Sequence, residues 1–213
     1  MSHFSVAVFC HNIDEVAELL EPFSENLTVQ PPYGEFVEDE ECEYDETAKA
    51  KGYWCNPNAK WDYWGIGGFR GMLKLLPGKT GYNTSNGRCD AALVVDCDFS
   101  PSESEIHQAA RMWEVLVEGD KPRENENFFN LWKPEYYLER YGDKETFLRR
   151  ESAFSTYAFV TAEGEWHEQG RMGWFCMDDA TNESIASYEE AFQAYLEKAR
   201  REGLAITIVD CHI

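Results

Sequence analysis

The sequence predicts an α+β fold: a mainly antiparallel sheet with helices packed on one face, plus a helical insertion. Three observations lead there. The first and last strand-like runs, residues 3–9 and 204–209, are nearly continuous apolar stretches, the signature of strands covered on both faces. The elements between them follow the order β-α-β-β-α, then a helical stretch, then β-β-α-β. The whole chain, 213 residues, is the size of one domain, so residues 1–213 read as a single unit carrying an acidic segment at 35–50 and an insertion at 120–152.

Residues 3–9 combine β-branched and aromatic side chains with no breaker, hence a strand. Asn12 then stands as an N-cap with Glu15 three residues on, and Ile13, Val16, Leu19, Leu20 and Phe23 recur at helical spacing. Pro31-Pro32-Tyr33-Gly34 ends regular structure. Seven acids crowd residues 38–46, so 35–50 reads as a solvated loop or exposed helix. Pro57 and the glycines after Trp64 exclude a long helix, leaving a turn at Asn56-Pro57-Asn58 and a strand at 72–76. A second apolar strand at 91–99 could pair with it across a Gly/Asn/Ser-rich loop. Ser100-Pro101-Ser102-Glu103 opens a helix whose stripe is Ile106, Ala109, Ala110, Trp113, Leu116 and Val117, with Gly119 as its stop. Two short helices, 134–141 and 144–152, break at Gly142. Residues 156–161 resume strand character, with a hairpin partner at 166–175. Ser187 and Glu190 read as a capping box for a last helix with Tyr188, Phe192, Tyr195 and Ala199 on one face, ended by Gly203 before the final strand.

Composition restricts the function classes. Forty acids against nineteen Lys and Arg give a net charge of −21. A field this negative argues against direct binding of nucleic acid or an anionic membrane, which need Lys/Arg clusters to displace counterions. Removing the run at 38–46 still leaves −14, so most of the excess is spread along the chain. No stretch reaches the roughly 18–20 apolar residues of a membrane span, and the first residues lack a basic segment leading into an apolar run. Seven cysteines at irregular spacing suit reduced thiols. The expected compartment is the cytoplasm, and the triplets at Asn26, Asn83 and Asn182 are chance glycosylation matches.

The segment with the most chemistry is Asn56 to Trp64. Two amides, an ammonium, a carboxylate and three large aromatics lie within nine residues, a costly set for an ordinary core. Read as a ligand pocket that also includes Asp62, Trp61, Tyr63 and Trp64 would stack a planar base, Asn56 and Asn58 would read its edge, and Lys60 with Arg70 would meet a phosphate. Read as structure, it is an aromatic minicore with Lys60 and Asp62 paired at the rim. Lys74 and Lys79 add two further cations nearby. A dinucleotide fingerprint fails, because the third glycine would have to stand where Arg70 is.

Cys10-His11 and Cys211-His212 raise a zinc site. Neighbouring strand residues point to opposite faces, and antiparallel strands would set the two pairs at opposite ends, so no metal ligand is assigned. Asp96 and Asp98 share one face of a strand end, and His167 is a further acid–base candidate. No catalytic residue and no cofactor is assigned on this basis.

Three pieces resemble a family of small, uncharacterised bacteriophage-encoded proteins. They are the opening Met1-Ser2-His3-Phe4-Ser5-Val6-Ala7-Val8, the core Asn56-Pro57-Asn58-Ala59-Lys60-Trp61-Asp62 running on to Ile66-Gly67-Gly68, and the ending Val209-Asp210-Cys211-His212-Ile213; Gly170-Arg171-Met172-Gly173-Trp174 partly echoes a fourth. Similar proteins place arginine directly after the second glycine, whereas Phe69 precedes Arg70 here. The resemblance implies a phage origin and an accessory role such as blocking host defence. The expected function is therefore a counter-defence inhibitor that sequesters a nucleotide-like signal or masks a host defence protein, acting in the host cytosol and compatible with a homo-oligomer. The alternatives are a small metal-assisted hydrolase or transferase using Asp62, Asp96, Asp98 or His167, an acidic nucleic-acid mimic, and a structural component of a phage particle.

Overall fold

The computed structural model describes residues 2–27, 29, 34–68, 73–128, 132–173 and 177–213. They form two compact units, Met1–Cys97 with Thr156–Ile213, and Asp98–Ser155. The α+β class holds, with mostly antiparallel pairing.

The first unit is built on β1 (His3–Cys10) and the last strand of the chain, which pair antiparallel over eight residues, from His3 opposite His212 to Cys10 opposite Ala205. In chain order the elements between are α1 (Val16–Leu20), β2 (Glu35–Glu38), β3 (Tyr44–Asp45), β4 (Ala50–Cys55), β5 (Tyr63–Ile66), β6 (Leu73–Leu75), β7 (Arg88–Cys89), β8 (Ala91–Leu93) and β9 (Cys97–Asp98). After the second unit come β10 (Ala158–Val160), β11 (Trp166–Glu168), α5 (Asn182–Glu202) and β12 (Ala205–His212). The central sheet runs β11-β10-β1-β12-β5, and only the β1–β10 pair is parallel. β12 is long enough to take two partners on one side: β5 along Val209–His212 and β8 along Ala205–Thr207. Between them, Gly67 N donates to Ile208 O and Ile208 N donates to Asp90 O, so the ladder is not interrupted.

Alternation along β1 and β12 explains why both are so apolar. Phe4, Val6, Val8, Cys10, Val209 and Cys211 face Val16, Leu20 and Phe23 from α1 and the turn that follows it. Phe9 faces the other way, against Phe159, Phe192 and Tyr195, with ring centroids 6.1, 6.1 and 4.9 Å apart. The expected one-sided helical cover is thus supplied by α5, and α1 adds a second cover on the opposite face. α5 is 21 residues long and buries Ile185, Tyr188, Phe192, Leu196 and Ala199 at helical spacing. Its capping box is Thr181 with Ser184, not Ser187 with Glu190; Ser187 lies exposed inside the helix. Gly203, at φ +72°, closes it as a left-handed C-cap.

The acidic residues 38–46 fall at the end of β2, in a turn and in β3, within a small β2-β4-β3 sheet. Asp45 ties this turn together by accepting from Thr47 N, Ala48 N and Trp54 Nε1 at 2.8, 2.8 and 3.1 Å. The strand at 72–76 is β6 (its first residue, Met72, lies outside the described residues), and it pairs with β7. The run at 91–99 is split by a 3₁₀ turn at Val94–Asp96: its first part, β8, joins β12, while its last part, β9, pairs with β6 as the sequence predicts.

The second unit holds α2 (Glu103–Leu116), α3 (Pro134–Tyr141) and α4 (Lys144–Ser152) around Trp113, Leu116, Tyr137 and Phe147. Ser102, rather than Ser100, caps α2, in a box with Glu105. Arg111 bonds Glu114, Asp120 and Glu126 at once, which pins the segment after α2 to that helix. Among the described residues, no helix is long and apolar enough to cross a membrane.

Candidate functional site

The segment 56–64 divides between structure and surface. Asn56 is buried, donating from Nδ2 to Pro22 O and Ser24 O (2.8 and 3.0 Å) while its Oδ1 accepts from Asn58 N (3.0 Å). It therefore staples the turn to the end of the α1 region, and Asn58 itself is exposed. Lys60 places Nζ 2.7 Å from Glu168 Oε1, and the other oxygen of Glu168 accepts from Trp166 Nε1 at 2.8 Å. Trp61 is buried in the core on the α1 side, and Trp64 packs against the same cluster, edge-on to Trp61 at 6.5 Å. Asp62 and Tyr63 belong to the opposite face, where Tyr63 is among the most exposed large side chains, at 68%. Arg70 lies outside the described residues. The pocket residues proposed from sequence thus divide between two sides: alternation within β5 separates Tyr63 from Trp64, and Trp61 and Asp62 lie before that strand begins.

On the side of Asp62 the fold assembles a polar quartet. His3, Ser5, Asp210, His212, Tyr63 and Gly65 share one face of β1, β12 and β5, because their strand partners fix that register. Ser2 and Ile213 exchange both backbone hydrogen bonds, at 3.1 and 3.0 Å. The adjacent pair, His3 and His212, is therefore the non-hydrogen-bonded kind, in which opposite side chains stand closest. Their rings meet edge to face, with centroids 5.0 Å apart.

Each imidazole has its own carboxylate. His212 Nδ1 lies 2.5 Å from Asp62 Oδ1, and His3 Nδ1 lies 3.2 and 3.1 Å from the two oxygens of Asp210. Asp62 is held at both ends of its peptide: its N–H donates to His212 O at 3.0 Å, and its carbonyl accepts from Asn26 Nδ2 at 3.0 Å. The His212 side chain is only 15% exposed, and that of Asp62 32%, so this pair is partly withdrawn from water. Gly68, at φ +116°, passes so close that a Cβ there would stand 2.7 Å from Asp210 Cβ.

The other sequence candidates do not converge. Asp96 is paired with Lys79 at 2.7 Å. His167 stacks on Phe159, rings 4.5 Å apart, on β11 at the far edge of the sheet from β5. Asp98 belongs to the second unit. Cys10 and Cys211 are buried, and burial pushes the Cys10 thiol up to about 11 and that of Cys211 further still. His11 and His212 follow from opposite ends of the antiparallel pair. Among the described residues no group of three or more His, Cys, Asp or Glu is placed to hold a metal ion.

A separate cleft of about 510 Å³ runs beside α1, lined among others by Asp14, Glu18, Glu21, Asn26 and Trp61. Its three carboxylates are exposed.

From sequence alone, Asp62 belongs to a pocket and His212 to a rejected zinc set, and nothing marks His3 and Asp210 as site residues. The signal was present as Asp210-x-His212, a two-residue spacing on a terminal strand, but it needed the β1–β12 register to bring in His3. Compared with protein-family models, with curated proteins and with solved structures, the chain matches none.

Proposed function

We propose that this is a phage-type accessory protein that acts by binding, and that it masks a basic surface of a host defence effector in the host cytosol. The supporting observation is how the charge is distributed. Lys60, Lys79, Arg111, Lys144 and Lys198 are each engaged by carboxylates. The excess behind the net −21 is therefore left facing outward, including Asp14, Glu18 and Glu21 along the cleft. A surface of this sign steers and holds a cationic partner and repels nucleic acid. The same geometry weighs against sequestering a nucleotide-like signal in the 56–64 segment: Lys60 already neutralises Glu168, and the Trp61 indole is packed in the core.

The test is affinity capture from host lysate at about 50 and about 500 mM salt, since screening shortens the reach of surface charge to a few ångströms at the higher concentration. The reading expects one basic partner, lost at high salt and lost with the Asp14→Asn/Glu18→Gln/Glu21→Gln variant. A partner retained in both conditions overturns it. A thermal shift with any member of a nucleotide panel, abolished in Lys60→Ala, would instead support the signal-sequestering reading.

A further inference from the structure

Charge-driven masking leaves the His–Asp quartet without a role. We propose that the quartet is a hydrolytic site in which His212 is the general base that activates water against an uncharged carboxylic ester. This goes beyond the binding function above and does not depend on it.

A carboxylate oxygen 2.5 Å from Nδ1 of His212 keeps the proton on Nδ1, which makes Nε2 the basic nitrogen. No described residue hydrogen-bonds that Nε2. Asp62 is itself clamped through its backbone by Asn26 and His212, so the ring is oriented by a fixed group; Asp62 is a positioning residue. The His3 ring, anchored by Asp210, packs edge-on against His212 and limits its rotation.

The nucleophile follows from what surrounds the base. No hydroxyl or thiol of a described residue hydrogen-bonds the His212 ring, and the adjacent Cys211 points into the core on the other face. Water is therefore the attacking group. The substrate class follows from charge, because two carboxylates in the site and −21 on the chain oppose an anionic phosphoester and leave an uncharged acyl ester favoured. In the step, Nε2 takes one proton from water as its oxygen bonds to the acyl carbon. The tetrahedral adduct then breaks its bond to the alkoxy oxygen, which takes that proton back from the imidazolium. Water is added across the ester, and the base is restored.

The probe is p-nitrophenyl acetate with the full-length protein, alongside p-nitrophenyl phosphate as the anionic comparison and free imidazole at equal concentration. General base catalysis is worth about 100-fold or more, so His212→Gln should lower kcat/KM by at least that factor. Asp62→Asn should lower kcat with KM unchanged, and the exposed His107→Gln on α2 should leave the rate as it was. Nitrogen NMR of the unmodified protein should show His212 protonated on Nδ1, a readout that needs no variant to fold. The proposal is overturned by a rate no higher than that of free imidazole, by a His212→Gln loss under threefold, by a proton found on Nε2, or by preference for the phosphate.

Discussion

Truncating Phe9 probes the claim that α5 closes one face of the central strand pair. The ring is fully buried, lies opposite Ile206 on β12, and is surrounded by Phe159, Phe192 and Tyr195. Phe9→Ala removes its burial and leaves a cavity walled by three aromatics that cannot all collapse inward, for about 3–5 kcal/mol. That is comparable with the total stability of a small domain. For a unit of this size it corresponds to a fall of about 6–20 °C in Tm. Val8→Ala, one residue along and facing α1, deletes only two methyl groups and should cost about 2 kcal/mol. Because the chain has two compact units, a single melting curve is ambiguous. Hydrogen exchange at the amides of Ile206 and Ile208 isolates the unit in question. A Phe9→Ala loss below about 2 kcal/mol at those amides, or one equal to that of Val8→Ala, would refute the two-sided packing.

Two further outcomes are expected. Lys198, 2.5 Å away, and the Tyr195 hydroxyl hold the Glu163 carboxyl down to about 2 from 4.5. A depressed carboxylate stabilises the fold above its unfolded value and loses that contribution as pH falls from about 4.5 to about 2; Glu163 is half exposed and Lys198 a third, so solvent screens the pair and its size is at most about 1 kcal/mol. The Tm gap between the native protein and Glu163→Gln should therefore narrow over that acid range and stay constant from pH 6 to 8. In the second unit, Ser102→Ala removes the capping box and should cost about 1 kcal/mol, read as faster exchange in the first turn of α2 with the β1 and β12 amides unaffected.

Local chemistry made the helices and the end strands legible. Gly142, Gly203 and the apolar spacing of Tyr188, Phe192 and Ala199 act within a few residues, and the structure follows them. The errors arose where two local signals competed. Thr181 and Ser184 satisfy each other's backbone one turn before Ser187, so the later hydroxyl has no orphan donor to cap. The apolar run at 91–99 reads as one strand only until β12 supplies a closer partner for its first half. The candidate site was half legible. Asp62 and His212 carry chemistry visible in any sequence, but 150 residues separate them, and nothing local says that β5 and β12 pair. Tyr63 and Trp64 misled for the opposite reason, since adjacency in an extended segment suggests one surface and the pleat provides two.

The pairing of β1 with β12 also sets an order of events. Bringing His3 opposite His212 closes a loop of almost the entire chain, an entropic cost on the order of 5 kcal/mol before any contact compensates. Such a pairing forms late and cannot form at all before β12 has been synthesised. His3 would therefore emerge from the ribosome long before its partners, and the quartet would exist only in molecules whose sheet has fully closed. An assay of that surface would then report completed folding, and any activity it has would be withheld from every partly built chain.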